Sequence, residues 1–218
     1  MSLYRVVFIS LIVFSFLSCH NRQQNTALPD NGVTKNWEVE KYKMTKSDVL
    51  KGWICYNLDA EQLCCPPEWK TVNGINTYIR LNIDPVDSMT YLNVTKFEPA
   101  FHDSTYITYF RNVYNTMSSN EAEVSTDPIL IRNIYNDKIV YNLRFHSIIN
   151  QIRYVTFLSI FNRDGFTYGF VMKVHREKEE EYYKTFGSIL YSYRVKGAFV
   201  FNVDEKLIKI QEMDISKI

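Results

Sequence analysis

Four cysteines, Cys19, Cys55, Cys64 and Cys65, are the residues of this chain best suited to covalent chemistry. A thiol attacks as its thiolate, which a neighbouring cation stabilises, and no basic residue stands beside Cys64 or Cys65. The nearby charges are Glu61 and Glu68, which oppose ionisation. In an oxidising compartment the same residues read as a disulfide. A hairpin turning at Asp59-Ala60 sets Cys55 opposite Cys64, and a one-residue slip or a bulge sets it opposite Cys65. A vicinal Cys64-Cys65 bond is the strained alternative. Cys55, Cys64 and Cys65 are therefore expected to supply one structural disulfide and one buried spare thiol, with a redox or acyl-transfer thiol as the rival reading.

Other chemistry is thinly represented. His20, His102, His146 and His175 lie too far apart for a recognised metal spacing, and neither Cys-x-x-Cys nor His-Glu-x-x-His occurs. His146 and His175 end neighbouring predicted strands and could meet at one sheet edge. There is no nucleophile elbow, P-loop or dinucleotide fingerprint, and 7 glycines leave little material for a phosphate cradle. The expectation is a chain without catalytic residues, metal or cofactor. With 25 basic and 24 acidic side chains the formal charge is +1, so no field draws in nucleic acid, and none is expected as a partner. The compositional oddity is 16 tyrosines. Tyr78, Tyr91, Tyr106, Tyr109, Tyr135, Tyr141, Tyr154 and Tyr168 fall on predicted elements, where they either fill amphipathic positions or form an aromatic surface for protein or glycan.

Cys19 has a different context. A single basic residue, Arg5, precedes the apolar run Val6 to Leu17, and the polar stretch His20 to Asn25 follows the cysteine at once. As a helix the run spans about 18 Å against a hydrocarbon core of about 30 Å, too short for a permanent span. These blocks describe a cleavable signal over residues 1–18, and Phe16-Leu17-Ser18-Cys19 resembles a bacterial lipobox, with Phe16 where Leu is usual. Cys19 is thus the expected lipid attachment site and mature first residue; a plain secretory signal is the alternative. Removing residues 1–18 loses only Arg5 and takes the formal charge to 0, so attachment to a membrane would come from acyl chains.

Residues 19–47 read as a flexible tether, 48–203 as one domain and 204–218 as a C-terminal tail. Strand patterns cover Gly52 to Tyr56, Glu61 to Cys65, Ile75 to Ile83 with apolar residues at every second position, and Tyr91 to Phe97. Ile107, Phe110, Tyr114 and Met117 then follow helical spacing over about 104–118, with Asp103 as the expected N-cap. Four runs, Ile129 to Tyr135, Ile139 to His146, Arg153 to Asn162 and Phe166 to His175, are separated by short turns and predict an antiparallel meander. A second helix is expected over about 177–193. The fold class is α+β, a twisted antiparallel sheet covered by helices, with Ile79, Leu81, Ile107, Phe110, Leu143, Phe157, Phe170, Phe186 and Leu190 in the core.

Pro67-Glu68-Trp69 after an early strand, a long middle helix, an aromatic meander and a closing Phe186-Gly-Ser-Ile-Leu-Tyr-Ser-Tyr193 together resemble the PsbP-like family over roughly residues 49–197. Tyr193 stands where that family more often has Phe. Its members include photosystem accessory subunits, a Ran-binding import factor, DcrB-type bacterial lipoproteins and chaperones of secreted effectors. The resemblance implies an α/β/α sandwich acting as a noncatalytic binding or assembly module. Asp87-Ser88-Met89 and Asp103-Ser104-Thr105 resemble the short O-glycosylation pattern of exported Bacteroidota proteins. The joint expectation is an accessory lipoprotein of the bacterial cell envelope, probing a protein partner while held at the outer membrane by the lipid on Cys19. Alternatives are an immunity protein or chaperone for a secreted toxin, a glycan-binding lipoprotein and a thiol-dependent envelope enzyme.

Overall fold

The computed structural model describes residues 33–38, 51–72, 78–119, 123–201 and 207–217. The signal at residues 1–18, Cys19, most of the tether, and Ile75 and Thr77 of the alternating run lie outside the described residues, as does the side chain of Met117.

In chain order the elements are β1 (Val33–Glu38), β2 (Ile54–Leu58), β3 (Glu61–Cys65), β4 (Lys70–Val72), β5 (Ile79–Asn82), β6 (Tyr91–Phe97) and helix α1 (Asp103–Ser119). There follow β7 (Glu123–Tyr135), β8 (Ile139–Ile149), β9 (Ile152–Arg163), β10 (Phe166–His175), a 3-10 turn (Arg176–Lys178) and helix α2 (Glu179–Ser192). Two short strands, β11 (Arg194–Val195) and β12 (Ala198–Phe199), precede β13 (Leu207–Met213). A nine-stranded sheet runs in the order β1-β13-β7-β8-β9-β10-β6-β5-β4, and a four-stranded sheet in the order β12-β11-β3-β2. The pairings are antiparallel.

The meander forms because its turns twist with its strands. Ile149 pairs with Ile152 and Arg163 with Phe166, leaving two-residue loops. Asn150 and Gln151 have φ of 50° and 68°, and Asp164 and Gly165 have 51° and 85°. Both loops thus have positive φ at both central positions, the backbone that suits a right-twisted hairpin.

Strand β9 shows why the sheet needs a layer on each side. Its residues 154–161 are buried without interruption, so neither face meets solvent. Val155, Phe157 and Phe161 join Phe186, Ile189 and Leu190 of α2 in one core. Leu158 and Ile160 join Tyr106 and Phe110 of α1 in the other. The alternation of a strand sends successive side chains to opposite faces, so the two helices cover opposite sides and the architecture is an α/β/α sandwich. Eight of the nine expected core residues are buried, and Ile107 is partly buried against the α1 core.

Three expectations need correction. Val33–Glu38, placed in the tether, is strand β1, and Leu207–Met213, placed in the tail, is strand β13, which joins β1 to β7. Val33–Glu38 is short and mostly polar, whereas Leu207–Met213 is an apolar run whose Leu207 and Met213 are each buried in a different core. Asp103 is the first residue of α1 rather than its N-cap. The first turn is instead closed on His102, whose carbonyl accepts from the amides of Thr105 and Tyr106 at 2.9 and 3.0 Å. Asp103 contributes a negative charge in that turn, where the helix dipole favours it.

Candidate functional site

The β2–β3 hairpin pairs Leu58 with Glu61 and Cys55 with Cys64 across the Asp59-Ala60 turn. Cys55 and Cys64 are joined by a disulfide, with Cα atoms 4.0 Å apart. Counting outward from a two-residue turn, they occupy a non-hydrogen-bonded pair, where opposing side chains approach most closely. Cys65 is a free thiol with no solvent exposure. Burial, and secondarily the Glu68 charge, push its pKa to about 12. Neither Cys64 nor Cys65 therefore presents a thiolate near neutral pH.

The hairpin is held to the large sheet by Glu61, only 3% exposed. Its Oε1 accepts from Lys96 Nζ of β6 at 2.8 Å and from the Tyr168 hydroxyl of β10 at 2.8 Å. The Tyr78 hydroxyl lies 2.7 Å from Oε2 and 2.8 Å from the Leu58 carbonyl oxygen, and its one proton serves a single acceptor at a time. Burial alone would raise the Glu61 pKa, but hydrogen bonds from Lys96, Tyr78 and Tyr168, with the Lys96 charge, outweigh it and hold the carboxyl below its usual range. Burial and the Glu61 carboxylate raise the pKa of both Tyr78 and Tyr168, keeping them as donors. Lys96 Nζ also lies 4.1 Å from the Phe166 ring centroid and 5.5 Å from that of Tyr78. This cluster was missed from the sequence, where Glu61 registered only as a charge near the thiols. The available signal was phase: Glu61 alternates with Leu63 and Cys65, the inward positions of β3, and an inward carboxylate requires donors.

The histidines do not meet. His146 pairs with Val155 and His175 with Tyr154, one row further along β9, so the two rings leave opposite faces. His146 Nε2 is 2.9 Å from Glu179 Oε2, while Arg144 donates to Glu179 Oε1 at 3.1 Å. His175 Nε2 is 3.1 Å from Asp87 Oδ2, and its ring stacks on Tyr154 with centroids 5.1 Å apart. Among the described residues no group of three or more His, Cys, Asp or Glu side chains is placed to hold a metal ion.

The tyrosines considered as a surface are mostly interior. Tyr106, Tyr135, Tyr141, Tyr154 and Tyr168 are buried, and Tyr78, Tyr91 and Tyr109 are half-buried. They pack because a sheet covered on both faces has few wet positions; Tyr106, for example, spends its hydroxyl on Asn162 Oδ1 at 2.8 Å. Among the described residues the exposed tyrosines are Tyr183 and Tyr191 of α2. Trp69 is buried 6.4 Å from the Tyr182 ring, and Tyr193 is buried edge-on to Phe170 at 5.0 Å, so both sequence marks sit in the α2 layer.

No family model matches this chain, and no curated protein matches it. Among solved structures, the solution structure of cyanobacterial PsbP (CyanoP) from Synechocystis sp. PCC 6803 is similar, at 14% sequence identity and a TM-score of 0.47. The match covers 78% of this chain and 97% of that one.

Proposed function

We propose that this protein is a noncatalytic binding or assembly lipoprotein of the bacterial cell envelope, attached to the outer membrane through lipid on Cys19 and acting on a protein partner. The observation that carries the noncatalytic half is the state of the domain's thiols: Cys64 is consumed in a disulfide and Cys65 is buried with its pKa pushed to about 12. The anchor half is supported by the sequence around Cys19, where a basic start, a short apolar run and an abrupt polar switch converge. Strand β1 begins at Val33, so the chain from Cys19 to the sheet can extend at most about 50 Å from the bilayer. The domain is thereby confined to the membrane's vicinity.

Two measurements test the reading. Mass spectrometry of the mature N-terminus is expected to find acylated Cys19; an unmodified Cys19, or cleavage elsewhere, removes the anchor. Cross-linking of the full chain in intact envelopes is expected to recover one stoichiometric protein. No protein partner, together with an enzymatic turnover abolished by Cys64→Ser or Cys65→Ser, overturns the binding reading in favour of a thiol enzyme.

A further inference from the structure

At the tip of the β8–β9 hairpin, where β10 passes into the 3-10 turn ahead of α2, lies a cleft of about 590 Å³ lined by Gln151, Ile152, Arg153, His175, Arg176 and Glu177. Two of its lining residues are arginines whose side chains are in an unusual condition. Arg80 donates to the Ser88 carbonyl, Arg132 to Gln211, Arg144 to Glu179, Arg163 pairs with Asp164, and Arg194 lies over the Phe199 ring. The side chains of Arg153 and Arg176, by contrast, have no hydrogen-bond or ion-pair partner among the described residues.

We propose that this cleft binds a phosphate group that carries an ammonium a few bonds away, the chemistry shared by free phosphoethanolamine and a phosphatidylethanolamine headgroup. Planar guanidiniums supply paired donors that match phosphate oxygens, and two lining one cleft suit a group with several such oxygens. Asp87, the carboxylate held against the lining residue His175, is already engaged. Its Oδ2 lies 3.1 Å from His175 Nε2 and accepts from the Tyr154 hydroxyl at 3.2 Å. That triad also fixes the imidazole as a wall of the cleft, stacked on a tyrosine that is itself buried.

Glu177 decides the second half of the ligand. It lines the same cleft, also without a partner among the described residues, so a simple anion would meet repulsion there. An ammonium on the same molecule converts that repulsion into attraction. Beside the cleft the hairpin presents apolar surface: Ile152, one of the lining residues, is 44% exposed. A lipid would find an apolar step next to the headgroup pocket, whereas a free phosphomonoester would use the polar groups alone.

The site is independent of the Cys19 anchor, so its failure leaves the proposed function standing. The test titrates the full chain with O-phosphoethanolamine and with inorganic phosphate, following binding by calorimetry and the His175 ring by NMR. O-phosphoethanolamine is expected to bind more tightly than phosphate. Arg153→Gln with Arg176→Gln should weaken it roughly tenfold or more, the loss of charge-assisted contacts. Glu177→Gln should abolish the preference for O-phosphoethanolamine while leaving phosphate binding equal or tighter. Both arginines are exposed, so an unchanged thermal midpoint will show that the variants remain folded. Sedimentation with phosphatidylethanolamine vesicles against phosphatidylcholine vesicles, comparing wild type with the double variant so that the N-terminus is constant, separates the sources. A preference lost in the variant identifies the lipid headgroup, and equal sedimentation beside O-phosphoethanolamine binding identifies the free compound. Binding of O-phosphoethanolamine unchanged in the double variant, or no binding of either probe to wild type, overturns the proposal.

Discussion

Tyr168 donates a 2.8 Å hydrogen bond to Glu61 across 107 residues of sequence, and with Lys96 it ties the disulfide-bearing hairpin to the centre of the large sheet. Removing the carboxylate leaves the buried Tyr168 hydroxyl without its acceptor and takes the ion-pair partner from Lys96, whose side chain is 24% exposed, while Tyr78 keeps the Leu58 carbonyl. Glu61→Ala is expected to destabilise the domain by about 1 to 3 kcal/mol, measured by denaturant unfolding, since it leaves the buried Tyr168 hydroxyl unpaired. A loss below about 1 kcal/mol would mean that water replaces the carboxylate without cost.

The same network predicts a pH dependence. Glu61 has a folded pKa below its unfolded value of 4.5, so its stabilisation is fully present above that value and is lost as pH falls through the lower folded pKa. Stability of wild type is therefore expected to decline on acidification below about pH 4.5 more steeply than that of Glu61→Gln, which has no such proton to take up. Parallel pH profiles for the two proteins would show that other carboxylates control the acid limb.

The three cysteines of the domain should differ sharply in chemistry. Cys55→Ser with Cys64→Ser is expected to cost about 2 to 3 kcal/mol, the effect of opening a short loop in the unfolded chain. Under native conditions near pH 8, Cys65 should react with iodoacetamide only slowly, because it is buried and its pKa lies about four units higher; denaturant should make it reactive at once. Fast alkylation of Cys65 in the folded protein would revive the reactive-thiol reading.

Phe186 of α2 lies almost parallel to Phe157 of β9, with ring centroids 5.9 Å apart, and both are buried. Phe186→Ala should cost about 3 to 5 kcal/mol, and Phe186→Leu clearly less, because the leucine refills part of the cavity. Equal losses for the two substitutions would show that the site collapses rather than leaving a void.

Deletion of residues 205–218 distinguishes a strand from a tail. It removes β13, takes Leu207 from one core and Met213 and Ile215 from the other, and leaves Arg132 without the Gln211 oxygen that accepts from its Nε at 2.7 Å. The expected outcome is loss of several kcal/mol or of cooperative unfolding. An unchanged thermal midpoint would return the segment to the role of a tail.

What the sequence by itself determined was whatever depends on near neighbours. The alternation in β6, the helical spacing of Ile107, Phe110 and Tyr114, and the turns at Asn150-Gln151 and Asp164-Gly165 are local patterns, and each element appears where its pattern stands. The hairpin turning at Asp59-Ala60 was legible too, but which of Cys64 and Cys65 pairs with Cys55 was decided only by the register of β2 on β3. Tertiary structure decided everything that requires a distant partner. Whether Tyr141 is wet or dry depends on α1 covering its face, and whether Leu207–Met213 is a tail or a strand depends on β7 and β1 lying alongside. The burial of Glu61 is intelligible only once Tyr78, Lys96 and Tyr168 converge on it from 17, 35 and 107 residues away. Local backbone preferences act between residues a few positions apart, whereas desolvation and charge pairing act between whatever the fold brings together, so the elements were legible in the chain and the environments of their side chains were not.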